Sequence, residues 1–166
     1  MKQPLVGDIF EIPLSEKKKA FGQYIYWDRQ KGPLISVYNC ILSQEKNTPS
    51  PEKIITSKPL FPPVITGLQA AVKSGLWKII GHASVQGFTY PGFVSTAIDY
   101  TSGNHGYWYY WDGEKSITLG KELPEEYQRK EFLAVYSPFD IAERIETGKR
   151  PYEELILTNK MPQKSP

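Results

Sequence analysis

The sequence predicts an α+β fold: a curved, mainly antiparallel sheet carrying two short helices. Three observations predict it. Alternating and β-branched runs fill the first forty residues. Two later segments carry helix start and stop signals. A stretch of five aromatics leads straight into an Asp-Gly turn.

The elements follow in order. In "GDIFEIPL" (7–14), Phe10, Ile12 and Leu14 fall on one face with Asp8, and Ile9, Glu11 and Pro13 on the other. "FGQYIYWD" (21–28) lies beyond the charged turn "SEKKKA", so the two runs form a hairpin. "RQKGP" turns the chain into "LISVYNCIL" (34–42), apolar enough for a well-buried third strand. Three such strands suit a small SH3-like sheet or another strongly curved one. "SQEKNTPSPEK" (43–53) reads as a flexible Pro/Ser loop.

In "PPVITGLQAAVKSGLWKIIGH", Thr66 is the expected N-cap, with Leu68, Ala71 and Val72 as the apolar stripe. Gly75 is the expected left-handed stop, and "LWKIIG" a strand. "YPGFV" is a turn entering an extended piece, and another strand is expected around Phe132–Tyr136. "SPFDIAERIETG" is a helix with Ser137 as N-cap, Pro138 in the first turn, Asp140 beside the N-terminus and Gly148 as stop. Ile141 and Ile145 form its apolar stripe. "YEELIL" suits either a strand or a helix.

"YWYYW" (107–111) runs into "DG". A two-residue loop at Asp112–Gly113 pairs Trp111 with Glu114, and Trp108 with Ile117. Then Trp108, Tyr110, Ile117 and Leu119 face the core, while Tyr107, Tyr109, Trp111, Glu114, Ser116 and Thr118 face outward. A three-residue loop shifts the pairing by one and turns Trp108 and Tyr110 outward instead. The first register, which joins Trp108 to Ile117, is the expected one. Its partner-binding candidates are Tyr107, Tyr109, Trp111, Asp112 and Glu114. A strand covered on both faces is the competing outcome.

The 166 residues carry a net charge of +2, too weak to imply nucleic acid. Cys40, the one cysteine, has no partner for an internal disulfide and reads as a buried, inert thiol. No signal peptide or apolar span is legible, so a cytoplasmic protein is expected. His82 and His105 lie on different segments, with no metal-binding or nucleophile motif around either. No catalytic, cofactor-binding or metal residue is assigned, and no cofactor is expected. Lys17, Lys18 and Lys19, with Arg129 and Lys130, read as solvated charge. The carboxylates Glu122, Glu125, Glu126, Glu143, Glu146, Glu153 and Glu154 read as solvated faces.

Gly7, Asp8, Ile9, Phe10, Ile12, Pro13 and Leu14 resemble the opening strand of the bacterial immunity protein 26 family of polymorphic toxin systems. Pro62, Pro63, Gly67, Leu68, Gly75, Trp77, Ile79, Ile80 and Gly81 resemble that family's central segment. The second strand departs from the family pattern, with Ala20 and Phe21 before a single Gly22. The resemblance covers roughly residues 5–85 and leaves the aromatic hairpin outside. Length and pattern suit one domain, so a single immunity-type domain is expected over 1–160, and the tail's composition makes 161–166 an expected disordered end. The resemblance implies a non-enzymatic protein that binds and neutralises a cognate toxin by occluding its active site or another essential surface. Two further functions stay open. One is a small ester or phosphotriester hydrolase, a label some family members carry. The other is a single-stranded nucleic-acid-binding domain, which would combine basic side chains with aromatic platforms.

Overall fold

A computed structural model describes residues 3–159. The first hairpin forms as its alternation predicts. β1 (Asp8–Pro13) pairs antiparallel with β2 (Lys18–Asp28), and Glu16 and Lys17 take positive φ in the turn between them. β3 (Gly32–Ser43) continues the meander, entered through a turn in which the buried Asp28 carboxylate accepts the Gln30 and Lys31 N–H groups. β1 is flanked on its other side by β5 (Lys78–His82), so it is an interior strand of its sheet. Ile9 is buried along with Phe10 and Ile12, where alternation alone puts Ile9 outside, because both faces of this strand are covered. Ile9 belongs to a cluster with Phe21, Tyr38, Ile54 and Ala83. Phe10 stacks on Trp77, the ring centroids 4.8 Å apart. Gly22 makes room for that ring, because a Cβ there would lie 2.6 Å from it.

Segment 43–53 is not all loop. Ser50 caps α1 (Pro51–Ile55), accepting from the Lys53 N–H, with Pro51 in the first turn and Ile54 buried beneath. β4 (Val64–Thr66) pairs antiparallel with β3 and ends on Thr66. Thr66 is therefore not the helix cap. Its buried hydroxyl donates to the Tyr136 carbonyl at 2.7 Å, and Gly67 occupies the N-cap position of α2 (Leu68–Lys73). Leu68, Ala71 and Val72 are buried, and Gly75 has φ of 80°.

The strand expected at 132–136 is two short pieces in different sheets. β9 (Glu131–Phe132) pairs parallel with β6 (Phe93–Ile98), and β10 (Val135–Tyr136) pairs parallel with β4. The six-stranded sheet thus runs β10-β4-β3-β2-β1-β5. The four-stranded sheet runs β8-β7-β6-β9, where β7 is His105–Trp111 and β8 is Ser116–Gly120. Both are mainly antiparallel, and the fold is α+β. The described chain forms two compact units, residues 3–89 with 135–148, and residues 90–134 with 149–159.

α3 (Pro138–Thr147) has the punctuation its sequence announces. Ser137 and Asp140 form a reciprocal capping box, Gly148 ends the helix at φ of 70°, and Ile141 is buried. Arg144 shares the buried face and lies 4.1 Å from the Phe61 ring centroid. Ser137→Ala is expected to cost about 1 kcal/mol of stability, measured by urea denaturation. It removes the acceptor for the Asp140 N–H while the Asp140 carboxylate keeps its bond to the Ser137 N–H. "YEELIL" resolves as a helix, α4 (Glu153–Thr158). The expected tail at 161–166 lies outside the described residues.

Candidate functional site

The aromatic hairpin occupies neither expected register. Trp111 pairs with Ser116, Tyr110 with Ile117 and Tyr109 with Thr118, so the loop has four residues, Asp112–Lys115. The cause is the Asp112 side chain. One carboxylate oxygen accepts the N–H groups of Glu114 and Lys115, each at 2.8 Å, and the Asp112 N–H donates to the Lys115 carbonyl. This Asx turn widens the loop by two residues relative to the two-residue turn. A shift of two preserves side-chain parity, so Trp108, Tyr110, Ile117 and Leu119 still share one face. A bulge between Trp108 and Tyr109 then brings Trp108 opposite Gly120.

The inner face is a core. Trp108 is fully buried among Val94, Leu123, Phe132, Leu155 and Ile156, with Tyr110 and Leu119 packed on that cluster. Its indole N–H donates to the Asn159 side-chain carbonyl at 2.8 Å. Tyr110 packs against Tyr127, with Lys130 over its ring. Burial foremost, and then Tyr127 and Asp112, push the Tyr110 phenol pKa up. Ile117 shares this face but sits on the edge strand and is exposed.

The outer face divides along its length. Trp111 is only 6% exposed. It lies opposite Phe93 on β6, and its indole donates to the Tyr90 hydroxyl at 2.9 Å. The Tyr90 ring meets Phe93 edge-on. Gly113, at φ of 100°, lets the ring approach, since a Cβ there would be 2.9 Å from it. At the other end Tyr107 is 49% exposed and Tyr109 37% exposed. Tyr109 lies between Ser95 and Thr118 on the neighbouring strands, a pair of rings in a polar setting. Asp112 is half-buried in its turn, and Glu114 is exposed.

The turn has a pH signature. The Lys115 and Glu114 N–H groups hold the Asp112 carboxyl pKa below the ordinary carboxylate range. A depressed folded pKa means that the turn's contribution is present above the ordinary value and is lost as pH falls through the depressed one. Carbon-detected NMR titration is expected to show Asp112 titrating below the ordinary aspartate range, and Asp112→Ala is expected to broaden the Glu114 and Lys115 amide resonances.

Several charged and reactive side chains have structural partners. Lys19 is buried, against the expectation of a solvated lysine run. Its ammonium donates to the Lys46 carbonyl at 2.9 Å, reaches the Gln44 carbonyl, and lies 3.8 Å from Glu11. Lys130 donates to the Pro91 carbonyl. Glu146 accepts from both the hydroxyl and the N–H of Ser15 at 2.6 Å, which holds its carboxyl pKa below the ordinary range. Cys40 is half-buried, and burial raises its thiol pKa against a smaller opposing pull from Lys53. His82 is 58% exposed by side chain, with Nδ1 3.0 Å from the buried Asp8 carboxylate. Asp8 also accepts the Leu5 N–H, so it ties the residues just before β1 to β5. His105 belongs to the second unit and lies against Trp108. Among the described residues no three His, Cys, Asp or Glu side chains come together as a metal-ligand group, and no helix is long and apolar enough to cross a membrane.

The family model for immunity protein 26 matches residues 6–106. This chain belongs to the immunity protein 26 family. No curated protein and no solved structure matches it. The matched span reaches about twenty residues further than the motifs alone suggest. Within it lie the β1–β5 sheet strands, α2, β6, Asp8, His82, and Phe93, which lies opposite Trp111. Tyr107, Tyr109 and the Asp112 turn lie just beyond it. Membership in this immunity family supports an immunity function and, in general terms, binding to a toxin protein.

Proposed function

We propose that this immunity protein 26 relative neutralises its cognate toxin by binding it through the outer face of the β7–β8 hairpin. In this reading residues 1–160 act as one immunity-type domain, in the cytoplasm of the cell that makes the toxin. Binding occludes the toxin's active site or another surface it needs, with no cofactor and no chemistry by the immunity protein itself.

The observation that supports the site best is the exposure of Tyr107 and Tyr109 side by side in sequence parity on a strand whose other aromatics are covered. Large, rigid, amphipathic rings are the residues that dominate interface energetics. They also lie beyond the family-matched span, where a surface specific to one partner is expected. Asp112 and Glu114 add negative charge in the turn at the far end of the same hairpin. Trp111 supports the surface from beneath rather than offering its own ring, because Tyr90 covers it.

Co-expression with the toxin encoded beside its gene is expected to restore growth, and the two proteins to co-purify. Absence of both rescue and a complex would sink the proposal. A second reading, a small ester or phosphotriester hydrolase, rests on the exposed His82 imidazole held by buried Asp8, an arrangement suited to general acid–base work. It requires turnover that His82→Gln abolishes and Tyr109→Ala spares. Inactivity of the wild-type chain on such esters, with divalent metals added, counts against it.

A further inference from the structure

The six-stranded sheet carries a cleft of about 420 Å³ that the hairpin face does not explain. Its floor comes from β2 and β3. Gln23 lies directly opposite Ser36, and Tyr38 follows two residues along the same face. One wall is the segment from Ile55 to Pro63, with Pro59, Phe61 and Pro62 among its lining side chains. Backbone bonds pin this wall to β3: Asn39 N–H donates to the Lys58 carbonyl, and Leu60 N–H to the Val37 carbonyl, each at 2.8 Å. The opposite wall is Val85–Thr89, where Phe88 is held by stacking on Tyr26 with centroids 4.8 Å apart. The cleft is therefore built before any ligand arrives.

Its chemistry is selective. None of the lining residues carries a formal charge. The walls are largely flat rings and aliphatic groups, which suit a planar apolar body. The floor is polar, and Gln23, Ser36 and Tyr38 are buried residues. Gln23 is satisfied on both ends, donating to the Ala83 carbonyl and accepting from the Tyr38 hydroxyl, each at 2.8 Å. That leaves the Tyr38 oxygen able to accept one more hydrogen bond. Ser36 is 7% exposed and lines the cleft, and its hydroxyl can both donate and accept. Here one donor and two acceptors meet at the bottom of an apolar slot, which is the complement of a ligand hydroxyl.

We propose that this cleft binds a neutral phenol-type group, its ring between the 55–63 and 85–89 walls and its hydroxyl on Ser36 and Tyr38. A carboxylate or ammonium in the same place would have no counter-charge and is rejected. A purely apolar ring enters but leaves the Ser36 hydroxyl dehydrated and unpaired. The phenol arrives either as a free small molecule or as a tyrosine side chain of a partner protein.

Calorimetry and amide-shift mapping with p-cresol test this. A dissociation constant of about 1 mM is expected for so small a ligand, with shifts at Ser36, Tyr38 and Phe88. Toluene is expected to bind at least tenfold more weakly, because it loses the bonds to both Ser36 and Tyr38. Ser36→Ala should weaken p-cresol about tenfold and leave toluene unchanged, a difference that misfolding cannot produce. Ser57→Trp, which fills the cleft from its wall, should remove both while the thermal melt stays cooperative. An N-acetylated, amidated Gly-Tyr-Gly peptide separates the sources: binding as tight as p-cresol points to a partner's tyrosine, and no binding points to a free phenol. Absence of p-cresol binding up to its solubility, equal affinity for benzoate, or an unchanged affinity in Ser36→Ala overturns the proposal. The cleft is independent of the hairpin reading. Growth protection without phenol binding removes the cleft alone, and phenol binding without protection removes the toxin reading alone.

Discussion

Trp108→Ala is expected to destabilise the protein by about 3–5 kcal/mol, the largest effect of any single substitution proposed for this chain. Trp108 is fully buried in the second unit, and it is the largest side chain of that unit's core cluster. Its ring meets Phe132 edge-on, and Phe132 in turn stacks on Tyr152 at 4.2 Å. Truncation therefore leaves a void under β7 whose walls come from β6, β9 and α4. It also removes the donor that holds the Asn159 side-chain carbonyl, which reaches the Leu123 N–H as well. Asn159 sits at positive φ at the C-terminus of α4, so the loss loosens that helix end too. Trp108→Phe separates the two contributions. It keeps most of the ring volume and loses the hydrogen bond, so a cost of about 1–2 kcal/mol is expected. Urea denaturation followed by circular dichroism measures both. A cost for Trp108→Ala no larger than that of an exposed-residue substitution would show that this core does not hold the second unit together.

What the sequence made legible was local. α3 is the clearest case, because Ser137, Pro138, Asp140 and Gly148 each act within a turn or two of the helix they punctuate. Gly75 and the buried stripe of α2 were legible for the same reason. α1 carries a shorter version of that signal, Ser50–Pro51–Glu52, which the surrounding Pro and Ser residues disguise as loop. What stayed hidden depends on distant partners. Thr66 looks like a cap until Tyr136, seventy residues on, takes its hydroxyl. Lys19 looks solvated until the carbonyls of Gln44 and Lys46 surround its ammonium. Trp111 is covered by Tyr90, twenty-one residues earlier, and nothing in "YWYYW" announces that lid. The loop length also eluded the Asp-Gly signal, which names a turn without deciding between two residues and an Asx-stabilised four. The side-chain faces survived because the two lengths differ by an even number.

The double substitution Tyr107→Ala, Tyr109→Ala is expected to abolish protection against the toxin while leaving the fold intact. Both rings stand on the wet side of β7, and their removal opens no cavity in the core formed by Trp108 and Tyr110. Stability should change by less than about 1 kcal/mol, as exposed positions ordinarily allow. Affinity should fall far more. An aromatic hot spot costs about 2 kcal/mol or more on truncation, roughly thirtyfold in affinity, and two neighbouring ones compound that loss. Trp111→Ala provides the contrast, since its ring is spent on Tyr90 and Phe93. It should destabilise the hairpin and weaken binding only in proportion to that loss. The separation between the two variants is the decisive quantity. If the double tyrosine variant protects as well as the wild-type chain and binds the toxin with the same affinity, the partner uses another surface. If it fails with its thermal melt unchanged, the outer face of β7 is where the toxin sits.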